Sequence, residues 1–394
     1  MHRALSLSSA RKYVTSGKSE VPLVINNNQI WDFDMKLYQD LIVESEAQLT
    51  LTCHLVMNPD TKIIIKPGGR LIIDGAVIGT DIFEKEMWQG IEVWGNSSAH
   101  QYPVNGGYLQ GYLEMKNGAT IENAICAVEL WHPNFTNTTG GIIQASDAVF
   151  RNNAKSVHAC YYSNYTPTNG AEVSYNSWFR NCTFTIDENY LGTETFYKHV
   201  DMGHVKGISF KGCDFSVLPG IYGVSSSCIG IESYSAGFVV ESYCDDIYND
   251  PCPENSIIRS TFTGFNNGIL SVNDGSNACA FSVKDAVFTN NNRGIYAQNT
   301  GFATILRNEF NIKSSGSICG YGVYAEGVTG FCIEENIFVP ATNTRSHKYG
   351  VGIFNSRSVN DIYLNSFENL TCGIYILKVK TTDGKEYSER IVKE

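Results

Sequence analysis

The sequence predicts an all-β fold: a single-stranded right-handed parallel β-helix, or β-solenoid, with an N-terminal cap and a C-terminal β-hairpin. Three observations carry this. The first is a repeat: IIRSTF, VKDAVF, ILRNEF, IEENIF and IYLNSF end at Phe262, Phe288, Phe310, Phe338 and Phe367. The second is a glycine followed by a branched apolar residue after each phenylalanine, at Gly268-Ile269, Gly294-Ile295, Gly322-Val323, Gly352-Ile353 and Gly373-Ile374. The third is the spacing: 26, 22, 28 and 29 residues separate successive phenylalanines, too short for a helix-pair repeat and too irregular for a coiled coil.

The pattern around each phenylalanine is constant. Five residues before it stands Ile257, Val283, Ile305, Ile333 or Ile362, and two before it Ser260, Ala286, Asn308, Asn336 or Asn365. Three before it the residue is polar in Arg259, Asp285, Arg307 and Glu335, with Leu364 the exception. A short strand with one buried face, a turn, and a second strand opened by glycine satisfies this pattern. Stacked coils place equivalent residues about 4.8 Å apart, so Phe lies on Phe and Asn ladders on Asn. The same frame reaches back to Phe150, Phe184 and Phe215, with Ala148, Cys182 and Cys213 in the small column and Phe179 and Phe210 in the apolar one. A coil burying a few large apolar side chains gains about 1.5–3 kcal/mol from each, against the entropy of ordering about 22 residues or more. Only a stack of coils is stable.

Composition agrees: 394 residues hold 36 Gly, 22 Tyr and 20 Phe but only 10 Pro. The net charge of −11 comes without a Lys/Arg cluster, which excludes nucleic acid as the expected partner. No apolar run is long enough for a transmembrane segment. Of the 12 cysteines, Cys182 and Cys213 occupy the small column and so read as buried thiols. Cys53, Cys126, Cys279, Cys319, Cys332 and Cys372 lie singly in apolar surroundings and read the same way. Cys244 and Cys252 flank a polar insertion, CDDIYNDPC, and are the disulfide candidate.

In chain order, residues 1–28 read as a flexible lead-in without the continuous apolar stretch of a secretory signal. Residues 29–78 read as cap and first coils, with Trp31 and Phe33 covering the exposed end and Gly68-Gly69 and Gly75 as corners. The β-helix runs over 79–372, with insertions at about 158–177, 187–205 and 243–255; loops leaving a rigid solenoid are where binding usually sits. Residues 373–394 form a hairpin turning at Asp383-Gly384.

Chemistry-bearing motifs are sparse, and no cofactor is implied. HExxH, GxSxG, a phosphate-cradling glycine loop and paired CxxC motifs are all absent. The third insertion carries Asp245, Asp246, Asp250 and Glu254, a set that can hold Ca²⁺ or serve as a solvated acidic loop. In KHVDMGH, His199, Asp201 and His204 offer a metal site on a strand, against a default of solvated loop histidines. Trp88, Trp94 and Trp131 read as core or loop cover ahead of carbohydrate platforms. A β-helix enzyme needs a carboxylate dyad or a basic groove. The candidates are Glu326, which has no acidic neighbour in its column, and Arg357. The more repetitive outward feature is aromatic. After Leu270 come Tyr296, Tyr324, Phe354 and Tyr375, each one residue past a Gly-Ile or Gly-Val step, forming a ladder that can stack on sugar rings unless a loop covers it.

The segments IVESEAQLTLTC, IIIKPGGRLIIDGAVI, WQGIEVWGN and YLEMKNGATIENA resemble the large parallel β-helix proteins that gliding and gut Bacteroidota export. The tail GIYILKVKTTDGKEYSERIVKE is similar to the end of a type IX secretion system (type A) sorting domain, although it is several times shorter than that domain. The resemblance implies a secreted or cell-surface protein that meets secretion machinery through its tail. The expected function is a non-catalytic adhesin or glycan-binding module, acting as a monomer on a polysaccharide or cell-surface glycan; the alternative is a polysaccharide lyase or glycoside hydrolase.

Overall fold

The computed structural model describes residues 19–81, 85–246, 248–275, 280–313, 319–341, 348–356 and 360–368, together with the backbone of Ile374–Lys380 and Glu386–Val392. The chain divides into two compact units. One holds the chain up to Asp201 with Gly220–Ser225, the other Met202–Pro219 and everything from Ser226. In each, successive strands are dealt in turn to three parallel sheets, which makes the fold a right-handed parallel β-helix.

In the first unit, Gln39–Val43, Lys62–Ile65, Trp88–Val93 and Ala124–Glu129 pair one on the next in the first sheet, with a register shift between Gly90 and Ile91 in the last pairing. Gln29–Trp31 pairs with Gln48–Leu51 in the second sheet as any coil does, and Ser19–Ile25 is already a strand of the first. Trp31 is buried and Phe33 is exposed. Phe150 stacks on Phe184 with ring centroids 4.7 Å apart and planes within 3°. Beneath this ordering lies a column of inward residues: Leu41, Val43, Ile63, Ile65, Ile91 and Val93 are all fully buried, each contributing about 1.5–3 kcal/mol.

In the second unit the phenylalanine column is continuous. Phe215, Phe262, Phe288, Phe310, Phe338 and Phe367 pair one on the next, with centroids 4.7–5.1 Å apart. The glycine of each Gly-Ile step is explained by this column. A Cβ added at Gly230, Gly268, Gly294 or Gly322 would lie only 2.5–2.9 Å from the ring edge of Phe262, Phe288, Phe310 or Phe338, closer than carbon atoms tolerate. Behind the rings runs a buried amide ladder. The backbone N–H and Nδ2 of Asn308 both donate to Oδ1 of Asn336, at 2.9 and 3.0 Å, and those of Asn336 donate to Oδ1 of Asn365 at 3.0 and 2.9 Å.

The position three before the Phe has a conformational cause in every coil but that of Phe262, where Arg259 is not left-handed. Asp147, Asn181, Asp285, Arg307, Glu335 and Leu364 all have φ between 48° and 55°. The corner between two strands is therefore a single left-handed residue, a state that Asn, Asp and Gly enter most easily. The corner also supports ladders, with Asn117 donating to Asp74 and Asn181 to Asp147, each at 2.6 Å.

Three expectations are corrected. Ile257 does not occupy the apolar column: it is 40% exposed and pairs antiparallel with Cys244. Val240 takes the place instead, aligned with Val283, because the polar insertion closes as a side hairpin before the third sheet resumes at Thr261. In the last coil the fitted step is Gly350-Val351, not Gly352-Ile353: Val323 pairs with Val351, and Gly350 meets the Phe367 ring. GVGIF contains two such steps, and ring contact selects the first. Ile374–Lys380 pairs antiparallel with Glu386–Val392 in a two-stranded sheet of its own, so Gly373-Ile374 does not open another coil of the parallel sheets.

Buried and half-buried cysteines also separate. Cys53, Cys182 and Cys213 are buried, whereas Cys126, Cys319 and Cys332 are only half-buried; Cys279 and Cys372 lie outside the described residues. The glycine–phenylalanine contact predicts the outcome of one substitution. Gly294→Ala, whose Cβ would also sit 2.7 Å from the Gly322 carbonyl, is expected to cost about 1–3 kcal/mol, read as a lowered urea midpoint for the far-ultraviolet signal. An unchanged midpoint would remove the packing explanation for the repeat.

Candidate functional site

Two constellations stand on the outward face of the first sheet, one in each unit. In the second unit, glycine again sets the geometry. Gly294 and Ile295 both face inward, so the residues on either side, Arg293 and Tyr296, both face out. The same break recurs in Tyr321-Gly322-Val323-Tyr324. Tyr296 pairs with Tyr324, and Arg293 with Tyr321, which pairs in turn with Tyr349. The result is an aromatic cluster. Tyr296 meets Tyr324 edge to face at 5.0 Å, Tyr321 meets Tyr324 at 5.0 Å, and Tyr321 stacks on Tyr349 at 5.0 Å with planes 21° apart. Phe354 closes one side, 5.0 Å from Tyr324.

The Arg293 guanidinium lies over two rings, 4.9 Å from the centroid of Tyr296 and 5.2 Å from that of Tyr324. Its Nη1 donates to Oδ1 of Asn267 at 3.3 Å. The three tyrosines Tyr296, Tyr321 and Tyr324 are half-buried, while Tyr349 and Phe354 are 37% and 41% exposed. Desolvation raises the hydroxyl pKa of Tyr321 and Tyr324, with Glu326 adding to the rise at Tyr324 and Arg293 opposing it at both. Those two are neutral phenols at physiological pH, and the face is one of rings around a single guanidinium.

The structure brings together only part of the predicted ladder. Tyr296 and Tyr324 do align, but Phe354 pairs with Glu326 and touches Tyr324 only diagonally, because the coil was shifted by two residues in the sequence alignment. Tyr375 lies in the antiparallel hairpin, opposite Ile391, so it cannot extend the ladder; its side chain is outside the described residues. Arg293, Tyr321 and Tyr349 were missed, although the signal was present: each immediately precedes the glycine, in RGI, YGV and YGV. Glu326 is half-buried between Gln298 and Phe354 in its column, so no second carboxylate stands above or below it. Arg357 lies outside the described residues.

In the first unit the outward face is ionic and indolic. Glu92 and Glu129 align on successive coils, and His158 follows Glu129. Each carboxylate holds the tryptophan two residues on: Trp94 Nε1 donates to Glu92 at 2.8 Å, and Trp131 Nε1 donates to Glu129. Lys62 bonds the other Glu92 oxygen at 2.6 Å, and His158 pairs with Glu129. One coil further, Asp201 is held by Lys155 at 3.0 Å and Lys198 at 3.2 Å. Burial raises the Glu129 carboxyl pKa, but bonds from His158, Trp131 and Cys126 outweigh it and hold it below the ordinary value. Asp201 is lowered in the same way, Lys155 and Lys198 overcoming desolvation. Trp88 is wholly core, its Nε1 tied to the Glu122 carbonyl at 2.9 Å.

The metal candidates do not assemble. Asp246 spends its carboxylate on the backbone N–H of Tyr248 at 2.9 Å and the Asn249 amide at 2.7 Å. His199 is fully buried, with Nδ1 3.1 Å from Ser156 Oγ, and so is not a solvated loop histidine. Among the described residues no three His, Cys, Asp or Glu side chains converge, which covers Asp245, Asp246, Asp250 and Glu254. Cys244 and Cys252 are joined as a disulfide across that insertion.

A family model described as "Periplasmic copper-binding protein (NosD)" matches residues 207–384, somewhat less than half of the chain. The described residues supply no copper-type ligand set there. No curated protein matches the chain. Among solved structures the chain is similar to the A-module of the mannuronan C-5 epimerase AlgE4 from Azotobacter vinelandii, at 10% identity over 93% of this chain and 94% of that one, with a TM-score of 0.44. It is also similar to the periplasmic alginate epimerase AlgG, at 9% identity over 85% and 78% with a TM-score of 0.39. A third is PfbA, a surface adhesin of Streptococcus pneumoniae, at 11% identity over 93% and 88% with a TM-score of 0.32. At these identities the likeness is one of fold alone.

The Glu129 arrangement makes stability depend on pH with a definite sign. A carboxyl held below its ordinary value stabilises the fold at pH above that value, 4.5, and the contribution disappears as pH falls through the folded value. Glu129→Gln is expected to lower stability by about 1–3 kcal/mol at pH 7. The gap from the parent should close in thermal melts taken progressively below pH 4.5; a gap independent of pH would contradict the assignment.

Proposed function

We propose that the protein is an exported β-helix module that binds glycan on the aromatic face around Tyr296 and Tyr324, without cleaving it. The carrying observation is the ring cluster itself: five aromatic side chains from three adjoining coils, packed edge to face, tilted and stacked on a rigid sheet and left partly open to solvent. Contiguous exposed apolar surface of this kind marks an interaction site. Rings fixed by neighbours lose little entropy on contact, and the polar hydroxyl tips suit a partner that is apolar on its faces and hydroxylated at its edges. Glu326, flanked by Gln298 and Phe354 in its column, lacks the second carboxylate that glycoside hydrolysis uses.

Placement outside the cytoplasm is supported by the Cys244–Cys252 disulfide in a surface insertion, since such bonds persist in oxidising compartments. It is supported also by the periplasmic family whose model matches residues 207–384. Among the described residues no helix is long and apolar enough to cross a membrane. The tail hairpin and its resemblance to a sorting signal support passage through an export machine.

Isothermal titration against a panel of oligosaccharides tests the reading. The parent is expected to bind at least one glycan class, and Tyr296→Ala with Tyr324→Ala to lose at least about tenfold in affinity, the equivalent of about 1.4 kcal/mol, while keeping the parent's far-ultraviolet spectrum. Release of reducing or unsaturated ends by the parent, undiminished in the double variant, would overturn it in favour of an enzyme working elsewhere.

A further inference from the structure

Resting on the glycan-binding reading, we infer that the ligand is an acidic glycan, one whose sugar carries a carboxylate or sulfate, and that Arg293 is the group that selects it. Charge pairing in the second unit provides the contrast. Arg307 bonds Asp285 at 2.8 Å, Arg259 lies 3.5 Å from Glu309, and Lys211 and Lys284 share Glu241 at 3.0 and 3.9 Å. Arg293 has no carboxylate within ion-pair distance among the described residues. It is instead laid over two tyrosine rings and anchored through one N–H to Asn267.

A guanidinium offers five N–H donors in a rigid fork that matches an oxyanion in two-point fashion. Only one of the five is committed among the described residues. Its charge is also partly desolvated by the flanking rings, where an incoming anion interacts more strongly than in bulk water. A chain of net charge −11 gains nothing in general attraction for acidic polymers, so a preference for them has to come from a local cation of this kind. Glu326 works against it: two residues beyond Tyr324 on the same face, it is near enough to raise that hydroxyl's pKa. Arg293 thus supplies the attraction and Glu326 moderates it.

The test uses the full chain and oligosaccharides of matched length: a neutral one, a uronate and a sulfated one. The parent is expected to bind at least one acidic oligosaccharide about tenfold more tightly than the neutral one, the factor one charge-assisted hydrogen bond supplies, and the preference should shrink as salt rises. The tighter of the two acidic arms identifies the anion. Arg293→Gln should bring the acidic and neutral affinities to within about twofold of each other, Arg293→Lys should keep part of the preference, and Glu326→Gln should enlarge it. Equal affinity for neutral and acidic sugars, or an acidic preference that survives Arg293→Gln, would overturn the inference while leaving glycan binding intact. Loss of all binding in the parent would instead remove the reading beneath it.

Discussion

The contact between a phenylalanine ring and a glycine that has no side chain to oppose it is the constraint on which the second unit depends. Each ring fills the space left by the glycine of the first-sheet strand beside it and stacks on the ring of the next coil. This fixes how far the first sheet stands from the third. It also forces Gly and the residue after it to face inward together, which turns two side chains of the same strand outward. The aromatic face is a by-product of that break in alternation: Arg293 with Tyr296, and Tyr321 with Tyr324, reach solvent side by side only because Gly294 and Gly322 lie between them.

Much of this was legible because packing repeats itself in sequence. The stacked rings, the Asn308–Asn336–Asn365 ladder and the apolar column from Val283 onward all follow from side chains whose surroundings recur coil after coil. Where the reading failed, the local pattern was ambiguous and a distant contact decided. GVGIF offers two glycine steps, and contact of the first, Gly350, with the Phe367 ring, seventeen residues on in sequence, distinguishes them. Ile257 sits at the correct distance from its phenylalanine, yet the hairpin formed with Cys244 pulls it out of the column and hands the place to Val240. Backbone conformation was hidden too: the position three before most of the rings is a left-handed corner, which Arg307, Glu335 and Leu364 conceal because they are poor residues for it.

The candidate site was half visible. Tyr296 and Tyr324 announced themselves by following the apolar residue of each step, while Arg293, Tyr321 and Tyr349 stood one place before the glycine, where simple alternation would have put them on the wrong face. In the first unit, Glu92 with Trp94 and Glu129 with Trp131 form a two-residue motif that recurs on adjoining coils. It went unread because the tryptophans were weighed singly, without the carboxylates that hold their indole nitrogens. The two outward faces differ accordingly: one is satisfied within itself, ion to ion and indole to carboxylate, and the other keeps an arginine without an acidic partner among the described residues.

The buried amide ladder has one further consequence. The amide-to-amide bonds in it, from Asn308 to Asn336 and from Asn336 to Asn365, run the same way along the stack, while each Nδ2 also bonds a carbonyl of the coil before, Val283 for Asn308 and Ile305 for Asn336. Amide dipoles aligned head to tail polarise one another, so the three asparagines form a small electrical line through an apolar interior. A line of this kind has a direction, and it gives each floor of the solenoid a sense of which neighbour is above and which below: a coil that slipped by one residue, or docked inverted, would strand its amides opposite hydrocarbon.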